Sequence, residues 1–91
     1  MPVYLVSYDI TKKDAFEYKP LWDELERLKA VKTQLSEWLL STTSSQKQVF
    51  DHFKAMLHKE DKLMITEITK RPHWQLGFQG TKAFLEKHFP Q

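Results

Sequence analysis

Residues 3–10 read Val3-Tyr4-Leu5-Val6-Ser7-Tyr8-Asp9-Ile10. β-branched and aromatic side chains dominate the run, which predicts a strand. Both alternating sets, Val3/Leu5 and Tyr4/Val6/Tyr8, are apolar, as in a central strand covered on both faces or buried at a subunit contact. The run ends on a carboxylate, Asp9, and breaks into Thr11-Lys12-Lys13-Asp14. An acid where an interior strand emerges serves as a metal ligand or general base, or it accepts hydrogen bonds from the loop that follows. Composition does not choose between these. Asp14 and Glu17, in the polar loop 11–18, put two more carboxylates within reach of Asp9, with Lys12 and Lys13 partly neutralising them.

Working outward, Pro20 suits the first turn of a helix, and Leu21, Trp22, Leu25 and Leu28 recur at helical spacing as far as Ala30. Asp23, Glu24 and Glu26 come early and Arg27 and Lys29 late, which complements the helix dipole. From 31 to 42 the pattern alternates, with Val31, Thr33 and Leu35 followed by Trp38 and Leu40. This predicts a hairpin, although one long bulged strand has the same pattern. Thr43-Ser44-Ser45-Gln46 supplies a capping box, a hydroxyl three residues ahead of a glutamine, before Val49, Phe50, Phe53, Met56 and Leu57 at helical spacing. The serines are thereby read as structural, since no histidine and acid are placed in the sequence to activate a nucleophile. Residues 63–69 form another strand.

The order strand, helix, strand, strand, helix, strand predicts an α+β domain of the ferredoxin-like βαββαβ type, with both helices on one face of an antiparallel sheet. A last helix, about 81–89, is appended. The chain's only two glycines, Gly77 and Gly80, flank Phe78 just before it. Trp74, Leu76, Phe78, Phe84, Leu85 and Phe89 are too apolar for a free tail and should dock on the domain or on a second copy.

At 91 residues the chain has room for one domain and one core, 1–91, with the core at about 2–69 and the aromatic tail and helix at 70–91. Its apolar fraction of 41% and aromatic fraction of 13% belong to the folded class. With no cysteine, disulfides and thiolate metal sites are excluded. The start Met1-Pro2-Val3 has no basic region and only a short apolar run, so the expected compartment is the cytoplasm, with no membrane partner. The net charge of +2 is unevenly spread: residues from 70 onward carry +3, which leaves 1–69 at −1. A basic tail suits an anionic partner such as nucleic acid.

Chemical motifs are few. His52, His58, His73 and His88 fall at no metal-binding spacing, and no glycine-rich phosphate loop or nucleotide fingerprint is present. Arg71, His73 and Trp74 together can stack on a nucleotide, although a tryptophan in a structured tail also serves as a core anchor.

The opening 3–10, with its polar loop, leucine helix and Gln34-Leu35-Ser36-Glu37-Trp38 segment, resembles the family of CRISPR-associated protein two over residues 3–69. That family includes orphan relatives and the virulence-associated protein D nucleases. The order Ser36-Glu37-Trp38 and the aromatic, helical ending depart from the family pattern. The opening and the aromatic tail are more similar to small uncharacterised prokaryotic proteins often labelled SinR-like. The resemblance implies a ferredoxin-like homodimer, nucleic-acid-associated or scaffolding, in a prokaryotic defence or mobile-element system, with nucleic acid and a further protein as partners. It also implies an alternative, a metal-dependent endonuclease of RNA or DNA. There Asp9, facing its mate across the two-fold axis, is the catalytic residue and the ligand of Mg²⁺ or Mn²⁺. In either case Lys12 and Lys13 in the loop and Lys70 and Arg71 in the tail are the expected nucleic-acid contacts.

Overall fold

The computed structural model describes residues 1–11, 15–75 and 77–89, and for residues 15–17 the backbone alone. The elements run β1 (Val3–Asp9), α1 (Ala15–Arg27), β2 (Val31–Gln34), β3 (Glu37–Ser41), α2 (Gln46–Lys54), β4 (Lys62–Ile68) and α3 (Thr81–His88). The four strands form one antiparallel sheet in the order β2-β3-β1-β4. The described residues make an α+β protein with three helices, and β1 is central, as its composition demands.

The alternation of β1 sorts its side chains between two cores. Tyr4, Val6 and Tyr8 face α1 and α2, where they pack with Leu21, Leu25, Trp38, Leu40, Val49, Phe53 and Ile65. Val3 and Leu5 face the other way, where Phe84 and Leu85 of α3 cover them together with Val31, Leu39 and Ile68. Helices therefore lie on both sides of the sheet. The apolar tail docks on its own domain, although Trp74 and Phe78 each stay 43% exposed; Leu76 lies outside the described residues. The polar atoms of the first core are matched: the Tyr8 hydroxyl accepts the indole N–H of Trp22 at 2.9 Å and that of Trp38 at 3.1 Å.

Three local expectations shift. Helix α1 begins at Ala15, so Pro20 sits inside it rather than in its first turn. The early turn is anchored by Tyr18, which is fully buried and donates its hydroxyl to Asp61, and this tertiary anchor outweighs the backbone hydrogen bond that Pro20 cannot make. The capping box is present but is built by Ser45 and Gln48, two residues beyond the Thr43/Gln46 pair. Strands β2 and β3 form the hairpin, with a register irregularity between Lys32 and Gln34 that throws Leu35 out to the turn, where it is 77% exposed.

Helix α1 closes with Lys29 in the left-handed region, φ 62, while Ala30 N–H reaches Leu25 O and Lys29 N–H reaches Glu26 O. This is a Schellman ending made without glycine. Gly80, at φ 96, precedes α3 in the conformation that favours glycine. Phe78 N–H donates to Thr33 O at 3.1 Å, which fixes the tail to β2. Among the described residues no helix is long and apolar enough to cross a membrane.

Candidate functional site

Asp9 ends β1 on the same sheet face as Val3 and Leu5 but beyond the part that α3 covers. Its side chain is 76% exposed, and the Lys62 ammonium, its cross-strand partner, stands 4.0 Å away. A pair so exposed contributes little. The loop hydrogen bonds expected at Asp9 go elsewhere as far as Thr11 is concerned. Thr11 donates its N–H at 2.7 Å and its hydroxyl at 2.8 Å to Oδ1 of Asp61. The same oxygen accepts the Tyr18 hydroxyl at 3.0 Å, and Oδ2 accepts His58 N–H at 2.8 Å. Burial pushes the Asp61 carboxyl up, but the N–H and hydroxyl of Thr11, with His58 N–H and the Tyr18 hydroxyl, hold it down to about 2. Asp61 thus clasps the exit of β1, the start of α1 and the entry to β4.

Lys12, Lys13 and Asp14, and the side chain of Glu17, the charged groups that the sequence puts within reach of Asp9, lie outside the described residues. Among the described residues no three His, Asp or Glu side chains gather as a metal site. At Asp9 the described residues bring one carboxylate beside one ammonium, so a divalent cation there would take its other oxygen ligands from water or from a second copy. The described residues of one copy therefore do not complete a site at Asp9.

Lys70 and Arg71 fall together at the opposite end of the sheet. Register pairs Asp9 with Lys62 and Val3 with Ile68, and six strand residues separate those pairs by about 20 Å. Lys70 and Arg71 follow Ile68 and, with Thr69, Pro72, His73 and Trp74, face His88 and Phe89 across a cleft of about 850 Å³. No Asp or Glu is among the described lining residues. The Arg71 guanidinium donates to Phe89 O at 3.4 Å, tying the segment to the end of α3. His88 stacks on Phe84 with ring centres 4.3 Å apart. Burial lowers the His88 pKa, and Lys87 and the N-terminal ammonium lower it further. Arg71, His73 and Trp74, grouped in the sequence, line one cleft; His88 and Phe89, at the end of α3, were not foreseen there.

Also unforeseen is a tie between the two helices of the first face. Glu24 accepts two hydrogen bonds from Arg27, at 2.6 and 2.8 Å, and its Oε2 lies 2.7 Å from Nε2 of His52 on α2. Arg27 first, and then His52, hold the Glu24 carboxyl down at about 2. The Glu24/Arg27 spacing is visible in sequence, but the His52 contact spans 28 positions and is not.

Fold and site together define a small α+β protein with a basic, aromatic cleft at one end of its sheet and an exposed acid, Asp9, at the other. No family model matches the sequence, and no solved structure matches the chain.

Proposed function

We propose that the chain is a ferredoxin-like domain that works as a homodimeric, nucleic-acid-associated scaffold. The strand order β2-β3-β1-β4 with helices after β1 and β3 supports the fold assignment. The observation that carries the function is the cleft at the end of the sheet. It joins Lys70 and Arg71 to an exposed indole, and no Asp or Glu is among its described lining residues, the combination that nucleic-acid surfaces use. Strand β4 supports the dimer: it is an edge of the sheet, and Met64 on it is 66% exposed.

The test is binding measured against salt. Replacing both Lys70 and Arg71 with Ala removes two phosphate contacts, so the slope of log K against log salt should shallow by about 1.4 to 1.8 between about 50 and 200 mM salt. A double variant that binds with the wild-type slope contradicts the reading.

The nuclease alternative is favoured by one observation, the exposure of Asp9 beyond the reach of α3, which leaves it able to meet a second copy. In the scaffold reading, Asp9→Asn is expected to change stability by no more than about 0.5 kcal/mol, because Thr11 is held by Asp61. Added Mn²⁺ should then leave the melting temperature of both forms unchanged. Stabilisation of the wild type by Mn²⁺ that disappears in Asp9→Asn would favour the nuclease.

A further inference from the structure

Trp74 differs from the other two tryptophans. The N–H groups of Trp22 and Trp38 are spent on the Tyr8 hydroxyl, and both rings belong to the first core. Trp74 is 43% exposed, yet it is not on a loose tail. Arg71 ties the segment before it to Phe89, and Phe78 ties the segment after it to Thr33. The ring borders the large cleft and also a smaller cavity of about 230 Å³ against Leu5 and Leu39 of the sheet. It lines both.

We propose that this cleft holds an unpaired nucleotide of a single strand, with Trp74 stacked on the base and Lys70 and Arg71 on the phosphate. This rests on reading the cleft as the nucleic-acid surface. The volume of about 850 Å³ is in the range of small-ligand sites and accommodates one nucleotide. An aromatic ring lining a cleft reaches the flat face of a base only when that base is out of a duplex, whose bases are stacked on one another. Phosphate binding alone needs no ring, so a duplex gripped by its backbone would leave Trp74 exposed without a role. His73, which is exposed, and His88 of α3 also line the cleft, which adds hydrogen-bonding groups without adding negative charge.

The experiment uses the full chain and a fluorescent mixed-sequence oligonucleotide of about 15 nucleotides, offered as a single strand and as a duplex, with adenosine monophosphate as competitor. The expected result is tighter binding of the single strand, with quenching of tryptophan emission. Trp74→Ala should weaken single-strand binding by about 5- to 150-fold, the range for one lost stack. Trp74→Phe should recover most of it, and circular dichroism of both variants should match the wild type. Equal or tighter binding of the duplex, unaffected by Trp74→Ala but weakened by the Lys70/Arg71 double substitution, overturns the single-strand inference and leaves the nucleic-acid reading standing. Adenosine monophosphate binding as tightly as the oligonucleotide identifies a free-nucleotide site and overturns the inference. Absence of binding to either form overturns both readings.

Discussion

Removing residues 72–91 is expected to leave a chain that aggregates or fails to fold. The segment supplies Phe84 and Leu85, which are 8% and 1% exposed and cover Val3 and Leu39 on the central strands. Stripping two such side chains from a core costs about 5 kcal/mol or more, comparable with the whole stability of many small domains. The uncovered face would also present Val3, Leu5, Leu39 and Ile68 as one apolar patch. Leu85→Ala is the milder form of the same test and should lower stability by about 2 to 5 kcal/mol in urea. A truncated chain that stays soluble and melts like the full one would show that α3 is not part of the fold's foundation.

Asp61→Ala should have the next largest effect, about 2 to 4 kcal/mol of lost stability, because it removes the acceptor of four hydrogen bonds around one carboxylate. Its pH signature follows from the direction of the shift. The folded carboxyl titrates near 2 against an ordinary 3.8, so its contribution is fully present above about 4 and is lost as the pH falls towards 2. Asp61→Asn keeps an acceptor for Thr11 and Tyr18 but no longer titrates, so the acid limb of its stability curve should flatten. Glu24, which is also held at about 2 by Arg27 and His52, contributes to the limb that remains. Urea unfolding of the three proteins between pH 2 and pH 5 checks both parts. An unchanged acid limb in Asp61→Asn would remove Asp61 from the list of groups that set it.

The contrast between Asp9 and Asp61 shows what was legible in the sequence. Asp9 stands out because it ends an apolar run, yet its side chain lies mostly in solvent. Asp61 sits in an unremarkable Lys59-Glu60-Asp61 turn, and its role depends on Thr11, 50 positions away, a contact that only the completed sheet creates. Periodicity placed the central strand, the hairpin and helices α1, α2 and α3, since each depends on neighbours within a few residues. It misplaced the start of α1 because Pro20 is a strong local signal, overridden by the buried Tyr18. The cleft was half legible: Arg71, His73 and Trp74 are adjacent in the chain, whereas His88 and Phe89 arrive only when α3 folds back over the sheet.

The location of nucleic acid on the protein is the most direct test, read from backbone and indole amide shifts in two-dimensional NMR as a short single strand is titrated in. The shifts should concentrate in residues 69–74, in His88 and Phe89, and in the indole N–H of Trp74, with the Asp9 end of the sheet silent. Shifts confined to Asp9, Thr11 and Lys62, with the Trp74 indole unmoved, would contradict the proposed cleft and place the interaction at the tip of β1.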